Sequence, residues 1–374
     1  MNPLATKIRN EIELRGSIPF ARFMELALYA PGEGYYETQQ QIGRSGDFIT
    51  SVSVGSLFGE LLAFQFAEWF EAALHTTAAS QLSSDKTPLF QIVESGAHDG
   101  KLAGDVLSFL SANRPELFQR LEYCIIEPSV LRQVWQTKTL KRFPNVKWIN
   151  DLSALSAAGI NPMNRIFFSN ELFDAMPVYR FGWDAKTKSW FEWAVGWDGD
   201  KFVWKRALEN QRSAVPFPKV DPALLEVLPD EFTTEVCPLA IEWWTEAARL
   251  LHRGKMIAID YGLLAEEFFV PERSGGTLRA ISRHHANTEL LSNPGEQDIT
   301  AHVNFGALKT AGENVGLQTD ALLPQSRFLT EIVGRGLKMS GEFAQWDSVQ
   351  RRQFQTLTHP EHFGRAFRVL VQSR

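Results

Sequence analysis

Five acidic side chains stand where short apolar runs stop: Glu94 in LFQIVES, Glu127 in LEYCIIEP, Asp151 after VKWIN, Glu171 after NRIFFSN and Asp260 in KMIAIDYG. Carboxylates at the ends of buried strands cost desolvation energy and add nothing to a core, so they are candidates for holding a ligand that carries positive charge. Behind the first of them, Gly96 and Gly100 lie four apart around His98, and LAGDVLSFL follows with helical periodicity. A pyrophosphate needs close backbone approach at successive glycines and no acid beside it. Here Glu94 and Asp99 flank the turn, and the glycine trio of a nicotinamide-dinucleotide site is absent. Plain turn punctuation is one reading of the two glycines. The other is S-adenosylmethionine, whose ammonium and sulfonium can both be compensated by carboxylates and which has no phosphate. On that reading Glu94, Gly96 and Gly100 form the loop, Glu127 accepts both ribose hydroxyls and Asp151 lies near the adenine edge. His98 either lines the pocket or does nothing.

The elements that must position these residues alternate along the chain. LFQIVES, LEYCIIEP, VKWIN and NRIFFSN read as strands separated by the helical segments KLAGDVLSFL and SVLRQVWQTKTL, and strands joined by helices imply crossovers and a parallel sheet. The expected fold is therefore α/β, a mostly parallel Rossmann-like sheet with helices on both faces. Residues 1–85 are expected as an N-terminal helical region packing over the cofactor site, its APGEGYY segment a turn and residues 76–88 a polar surface connection. Residues 86–374 form the α/β domain. Within it, 178–235 reads as an antiparallel insertion, because Asp198-Gly199 lies between the aromatic runs SWFEWAVG and KFVWK. The tryptophans at 183, 190, 193, 197 and 204 then pack across strands, with protein docking as the alternative. PLAIEWWTEAARLLHRG reads as a helix ended by Gly254 at C′.

Composition bounds the rest. The 374 residues, 44% hydrophobic with 27 Phe and 11 Trp, suffice for one large core or two modest ones. The apolar segment from Leu57 to Leu74 carries three glutamates and reads as a core helix. The first residues show no apolar targeting stretch, and a cytoplasmic location is expected. Two cysteines, Cys124 and Cys237, suggest reduced core thiols. A net charge of −6 argues against nucleic acid and leaves room for a basic peptide. His284, His285 and His302 lack paired ligand spacing, so no metal is expected.

Several long segments bear a further resemblance: GSIPFARFMELALYAPGEGYY from Gly16, GDFITS from Gly46, LFGELLAF from Leu57, NELFDAMPV from Asn170, IAIDYG from Ile257, GTLRAISRHH from Gly276 and PGEQDITAHVNF from Pro294. Together they resemble the MidA-like family of class I methyltransferases, whose mitochondrial members act in complex I assembly and are credited with arginine methylation. The resemblance implies an S-adenosylmethionine-dependent enzyme acting on a protein side chain, arginine by family; the sequence leaves open whether the chain is a monomer or a homodimer. Two departures stand out. The family's Glu-Leu-Gly-Pro-Gly-Arg-Gly loop is Glu94-Ser-Gly-Ala-His-Asp-Gly100 here, and the Pro-Glu that follows GDFITS is Val52-Ser53.

A guanidinium is protonated at neutral pH and nucleophilic only when carboxylates orient and polarise it, so acids are required near the transfer point. Glu171 and Asp174, three apart, read as one face of a helical turn stopped by Pro177, with Asn170 offering its amide to the acceptor. The plainer alternative is that Asn170 caps the turn and Asp174 ties down a loop. Asp47, Thr50 and Ser51 either cover the cofactor or cap the next helix. Asp260 and Tyr261 are expected beside the reacting carbon. The competing function is a binding or assembly factor that keeps the fold and has lost turnover, motivated by His98 and Ser53.

Overall fold

The computed structural model describes residues 2–38, 50–75, 89–157, 162, 164–282, 285–287, 289–339 and 341–374. Asp47, His284 and the polar connection expected at 76–88 lie outside the described residues. By contacts the chain divides into two compact units. The first comprises Met1–Phe48, Phe173–Glu242 and Gly262–Ala307; the second comprises Ile49–Leu172, Trp243–Tyr261 and Leu308–Arg374.

The second unit is built on seven strands: β1 (Phe90–Ser95), β2 (Leu121–Ile126), β3 (Val146–Ile149), β4 (Asn164–Asn170), β5 (Gly254–Leu263), β6 (Gln318–Pro324) and β7 (Phe367–Ser373). They pair in the order β6-β7-β5-β4-β1-β2-β3. β1 to β5 run parallel, and β7 is antiparallel to both β5 and β6. The winding reverses between β1 and β4, where Ser95 and Ser169 stand side by side in register, and at such a reversal a doubly wound sheet opens a crevice beyond its carboxyl ends. β1, β2 and β4 are buried at every residue, which explains why they read as continuous apolar runs and not as alternating ones. β3, at the edge, keeps only Val146 fully covered.

Helix Leu57–His75 is the core helix expected from its composition. Its Phe66 and Phe70 rings pack 5.3 Å from Phe168 and 4.7 Å from Phe90. Burial of such a side chain contributes about 1.5–3 kcal/mol. Helices Lys101–Asn113, Gln325–Met339 and Ser348–Thr358 supply further residues of the same core, among them Leu107, Leu329 and Leu357. Cys124 sits inside β2, and burial pushes its thiol up to about 12, which leaves it unreactive. The helix expected to run to Gly254 stops at Leu250. Gly254 instead opens β5, at φ 137°, where a Cβ would lie 1.8 Å from the Arg165 carbonyl oxygen. The glycine is required by sheet packing and not by a helix cap.

The first unit carries an antiparallel sheet of Ile18–Pro19, Ser189–Trp197, Tyr179–Asp184 and Thr233–Val236, with Phe202–Arg206 paired to Ser189–Trp197. The expected hairpin forms with Trp197 opposite Phe202. The Asp198 carboxylate closes its loop by accepting from the Asp200 and Lys201 amides at 2.9 and 2.8 Å. Trp183 and Trp190 are register partners with rings 5.2 Å apart, the cross-strand packing of aromatic pairs. Helices Pro3–Arg15 and Phe20–Tyr29 contribute Ile8, Phe20, Phe23 and Leu28 to this unit's core. Among the described residues no helix is long and apolar enough to cross a membrane.

Candidate functional site

In the second unit, the acids and glycines of the sequence motif meet at the carboxyl ends of β1, β2 and β4. Glu94 is buried at 1% exposure, and its Oε2 accepts a 2.7 Å hydrogen bond from the Tyr123 hydroxyl. Burial raises its pKa to about 8; the Tyr123 hydrogen bond opposes the shift and the charge of Asp99 adds to it. The group is thus largely protonated at neutral pH and ionises readily once a cation is beside it. Gly96 and Gly100 both adopt left-handed φ, 83° and 82°. A Cβ at 96 would sit 3.2 Å from Leu172 Cδ1, and one at 100 equally close to Leu140 Cδ1. Between them His98 holds φ 46°, a conformation that costs a non-glycine residue on the order of 1 kcal/mol.

The Glu127 carboxylate, at 2% exposure, is already engaged. Oε1 accepts from the Ser129 amide at 2.9 Å and lies 3.1 Å from Arg132 Nε, while Oε2 accepts from Gln136 Nε2 at 2.9 Å. The same Gln136 amide donates to the His98 carbonyl at 2.9 Å. One side chain therefore ties the glycine loop to the second strand-end acid. Asp151 is exposed and caps the short helix Ser153–Ala157, taking the Ser153 hydroxyl and the Ala154 amide at 2.5 and 3.2 Å. These hydrogen bonds hold its carboxyl below the ordinary range.

The segment after β4 departs from expectation. No helical turn forms over NELFDAMPV: Glu171 takes φ 52°, its amide continues sheet-like bonding to the Ile259 carbonyl at 2.9 Å, and the Leu172 amide goes to Asp260 Oδ2 at 3.1 Å. The left-handed φ of Glu171 is itself incompatible with a right-handed helical turn, and the two amides that bond β5 fix the backbone in that bend. Glu171 belongs to the second unit and Asp174 to the first, so the shared helical face is withdrawn. Glu171 Oε1 accepts from the Ser51 amide and from Asn170 Nδ2, each at 3.1 Å. Asn170 is buried at 7% exposure, and its Oδ1 has no hydrogen-bond partner among the described residues. The same is true of Ser169 Oγ and His98 Nε2.

Thr50 and Ser53 form a reciprocal capping box at 3.0 and 2.9 Å, and the Ser51 hydroxyl bonds Gln325 Oε1 at 3.3 Å. Ser53 thus fills the box position where an acid at N3 would reach back, a local structural role for one of the two departures. Asp260, buried at 1%, also accepts the Tyr261 amide at 2.8 Å. Sequence reasoning placed it beside the chemistry and missed that it braces the Glu171 turn. Tyr123 and Gln136 were missed as well. Only Tyr123 carried a signal, a polar hydroxyl inside an apolar strand.

In the first unit, Asp174 accepts the Ala301 amide through its carbonyl at 2.9 Å. Tyr36, stacked 5.5 Å from Tyr29, donates to Asp298 Oδ1 at 2.8 Å. Burial, with the charges of Asp298 and Asp174, drives the Tyr36 hydroxyl well above its usual range. His302 is held near 3 by burial and by Arg279 and Arg273. Among the described residues no group of three or more His, Cys, Asp or Glu could hold a metal ion.

The crevice of the second unit suits S-adenosylmethionine: two glycines at left-handed φ allow close backbone approach, the Glu94 carboxyl at the end of β1 can offset a cationic group, and among the described residues His98 Nε2, Ser169 Oγ and Asn170 Oδ1 have no hydrogen-bond partner. Comparisons with known proteins agree. The sequence model of a family described as "Putative S-adenosyl-L-methionine-dependent methyltransferase" matches residues 61–323. The mouse mitochondrial protein arginine methyltransferase NDUFAF7 is 27% identical over 83% of this chain and 69% of its own. The Drosophila melanogaster homologue, also named mitochondrial, is 26% identical over 98% and 84%. A Burkholderia thailandensis protein crystallised with S-adenosyl-homocysteine superposes with a TM-score of 0.79 at 30% identity, covering 99% of this chain and 92% of that one. The expected cytoplasmic location is overturned by these relatives, which are named as mitochondrial proteins. With more than half its length matched and its sheet wound as described, the chain belongs to this family and is an S-adenosylmethionine-dependent methyltransferase of class I fold.

Proposed function

We propose that the methyl acceptor is an arginine side chain of a protein substrate and that Glu171 is the carboxylate that holds it. The observation that carries the reading is the fixation of Glu171 at the end of β4, in a left-handed turn, by the Ser51 amide and the Asn170 side chain. A carboxylate so restrained loses little further entropy on gripping a guanidinium. The Asn170 Oδ1 acceptor suits a second N–H of the same group. The printed names of the animal relatives, protein arginine methyltransferases, support the choice of acceptor.

The cofactor, when bound, supplies a methyl group on a sulfonium whose sulfur keeps the electron pair as the carbon departs. The chain's own residues do the positioning. Glu94 in its ionised form offsets positive charge, Gly96 and Gly100 allow close backbone approach, and Glu127 receives the ribose hydroxyls. Asp151 contributes at the adenine edge, while Thr50 and Ser51 set the backbone that meets Glu171. Glu171 orients the acceptor, and the proton released when the nitrogen is alkylated passes to its carboxylate and then to water.

The test is incubation of the purified protein with methyl-labelled cofactor and a peptide library in which each arginine-containing peptide has a lysine-substituted twin, read by mass spectrometry. Label on arginine alone is expected. Label on another residue type, or none with the cofactor demonstrably bound, would reject the arginine assignment.

A further inference from the structure

We propose that His98 is an added contact for the nucleoside end of the cofactor, a role that a glycine at the centre of the loop could not fill. His98 holds φ 46°, a region where glycine is free and other residues are strained. Strain of this kind persists where the surroundings impose it, and it concentrates at ligand-binding positions. The ring's Nε2 is buried and has no hydrogen-bond partner among the described residues. An imidazole nitrogen in that condition carries a desolvation cost unless something else meets it.

The side of the crevice follows from the hydrogen bonds. The His98 carbonyl and Glu127 Oε2 are both held by Gln136 Nε2, at 2.9 Å each, and the His98 ring centroid is 6.3 Å from that of Trp135, the residue before Gln136. His98 is therefore bound into the neighbourhood of the strand-end acid that the ribose would engage. A ribose hydroxyl that donates its proton to Glu127 still has lone pairs, so it can accept from Nε2 in the tautomer that carries the proton there. The adjoining indole adds an apolar surface for the base.

The inference rests on cofactor binding in this crevice and is tested by calorimetry with S-adenosyl-homocysteine and, separately, with adenosine. His98→Gly removes the ring and relaxes the backbone, so the variant should melt at a higher temperature than the parent. It should nevertheless bind both ligands about five- to tenfold more weakly, the worth of one hydrogen bond. His98→Asn, a residue that tolerates left-handed φ and keeps a polar tip, should recover part of the loss. Equal fold-losses for the two ligands locate the contact on the nucleoside. Unchanged or tighter binding by His98→Gly would overturn the proposal and make the histidine a tolerated replacement. A loss seen with S-adenosyl-homocysteine and absent with adenosine would overturn it too, by moving the contact to the amino-acid end. Failure of the parent protein to bind S-adenosyl-homocysteine would instead count against the crevice itself.

Discussion

Replacing Glu94 by Gln tests whether the crevice is built around a carboxyl that waits for a cation. The folded group titrates near 8 against an ordinary value of 4.5 because burial disfavours its charge. A carboxyl shifted upward binds its proton more tightly folded than unfolded, so its favourable contribution is complete below about 4.5 and is lost as the pH rises to about 8. Holding the ionised carboxylate in its folded site costs roughly 5 kcal/mol at the alkaline end and about 3 kcal/mol at pH 7. Gln retains an oxygen for the Tyr123 hydroxyl and never ionises. Its stability relative to the parent should therefore grow by up to about 1.4 kcal/mol per pH unit between pH 5 and 8 and level off above. Denaturant unfolding of both proteins from pH 5 to 9 measures this directly. The same carboxyl should ionise when the cationic cofactor binds, so calorimetry in buffers of different ionisation heat should find proton release near pH 7 in the parent and much less in Glu94→Gln, with weaker binding. A stability gap that stays constant with pH would refute the reasoning, because it would mean Glu94 is no more reluctant to ionise folded than unfolded.

Three other outcomes are expected. Glu171→Gln keeps an oxygen for the Ser51 amide and should leave S-adenosyl-homocysteine affinity nearly unchanged while transfer falls at least a hundredfold in single-turnover assays; an active variant would return Glu171 to a structural role. Asp260→Ala strands the Leu172 and Tyr261 amides and should cost about 2–4 kcal/mol in denaturant unfolding, with kcat falling more than KM because the Glu171 turn loosens; a loss of stability with kcat intact would deny the bracing role. Thr50→Ala breaks the capping box and should cost about 1 kcal/mol, lowering the melting temperature by a few degrees; no change would show that the segment is held by Ser51–Gln325 alone.

The glycine turn of the proposed cofactor crevice was legible because it is local. A strand, an acid, two glycines and a helix are consecutive in IVESGAHDGKL, and the left-handed φ of Gly96 and Gly100 is a property that residue type announces. The alternation of strand and helix fixed the parallel winding by the same logic, since short crossovers leave few topologies. The acceptor side was less legible. A three-residue spacing suggested a helical turn for Glu171 and Asp174, but the amides of 171 and 172 are taken by Ile259 and Asp260, nearly ninety positions along the chain. Spacing rules describe a segment left to itself, and here a distant strand outbids the local turn. Gly254 failed for the same reason, the obstacle being a carbonyl on a neighbouring strand.

From residue order alone came the wound sheet, the glycine turn, the hairpin and the demand for acids at strand ends, all set by backbone sterics and burial over a few neighbouring residues. Only the tertiary structure decided that Glu94 lies under Tyr123 and resists ionisation, that Glu127 is shared with Arg132 and Gln136, and that Glu171 is locked by Ser51. Each of these depends on which side chains meet across the sheet, and electrostatic energy in a buried site is set by such neighbours and by the exclusion of water.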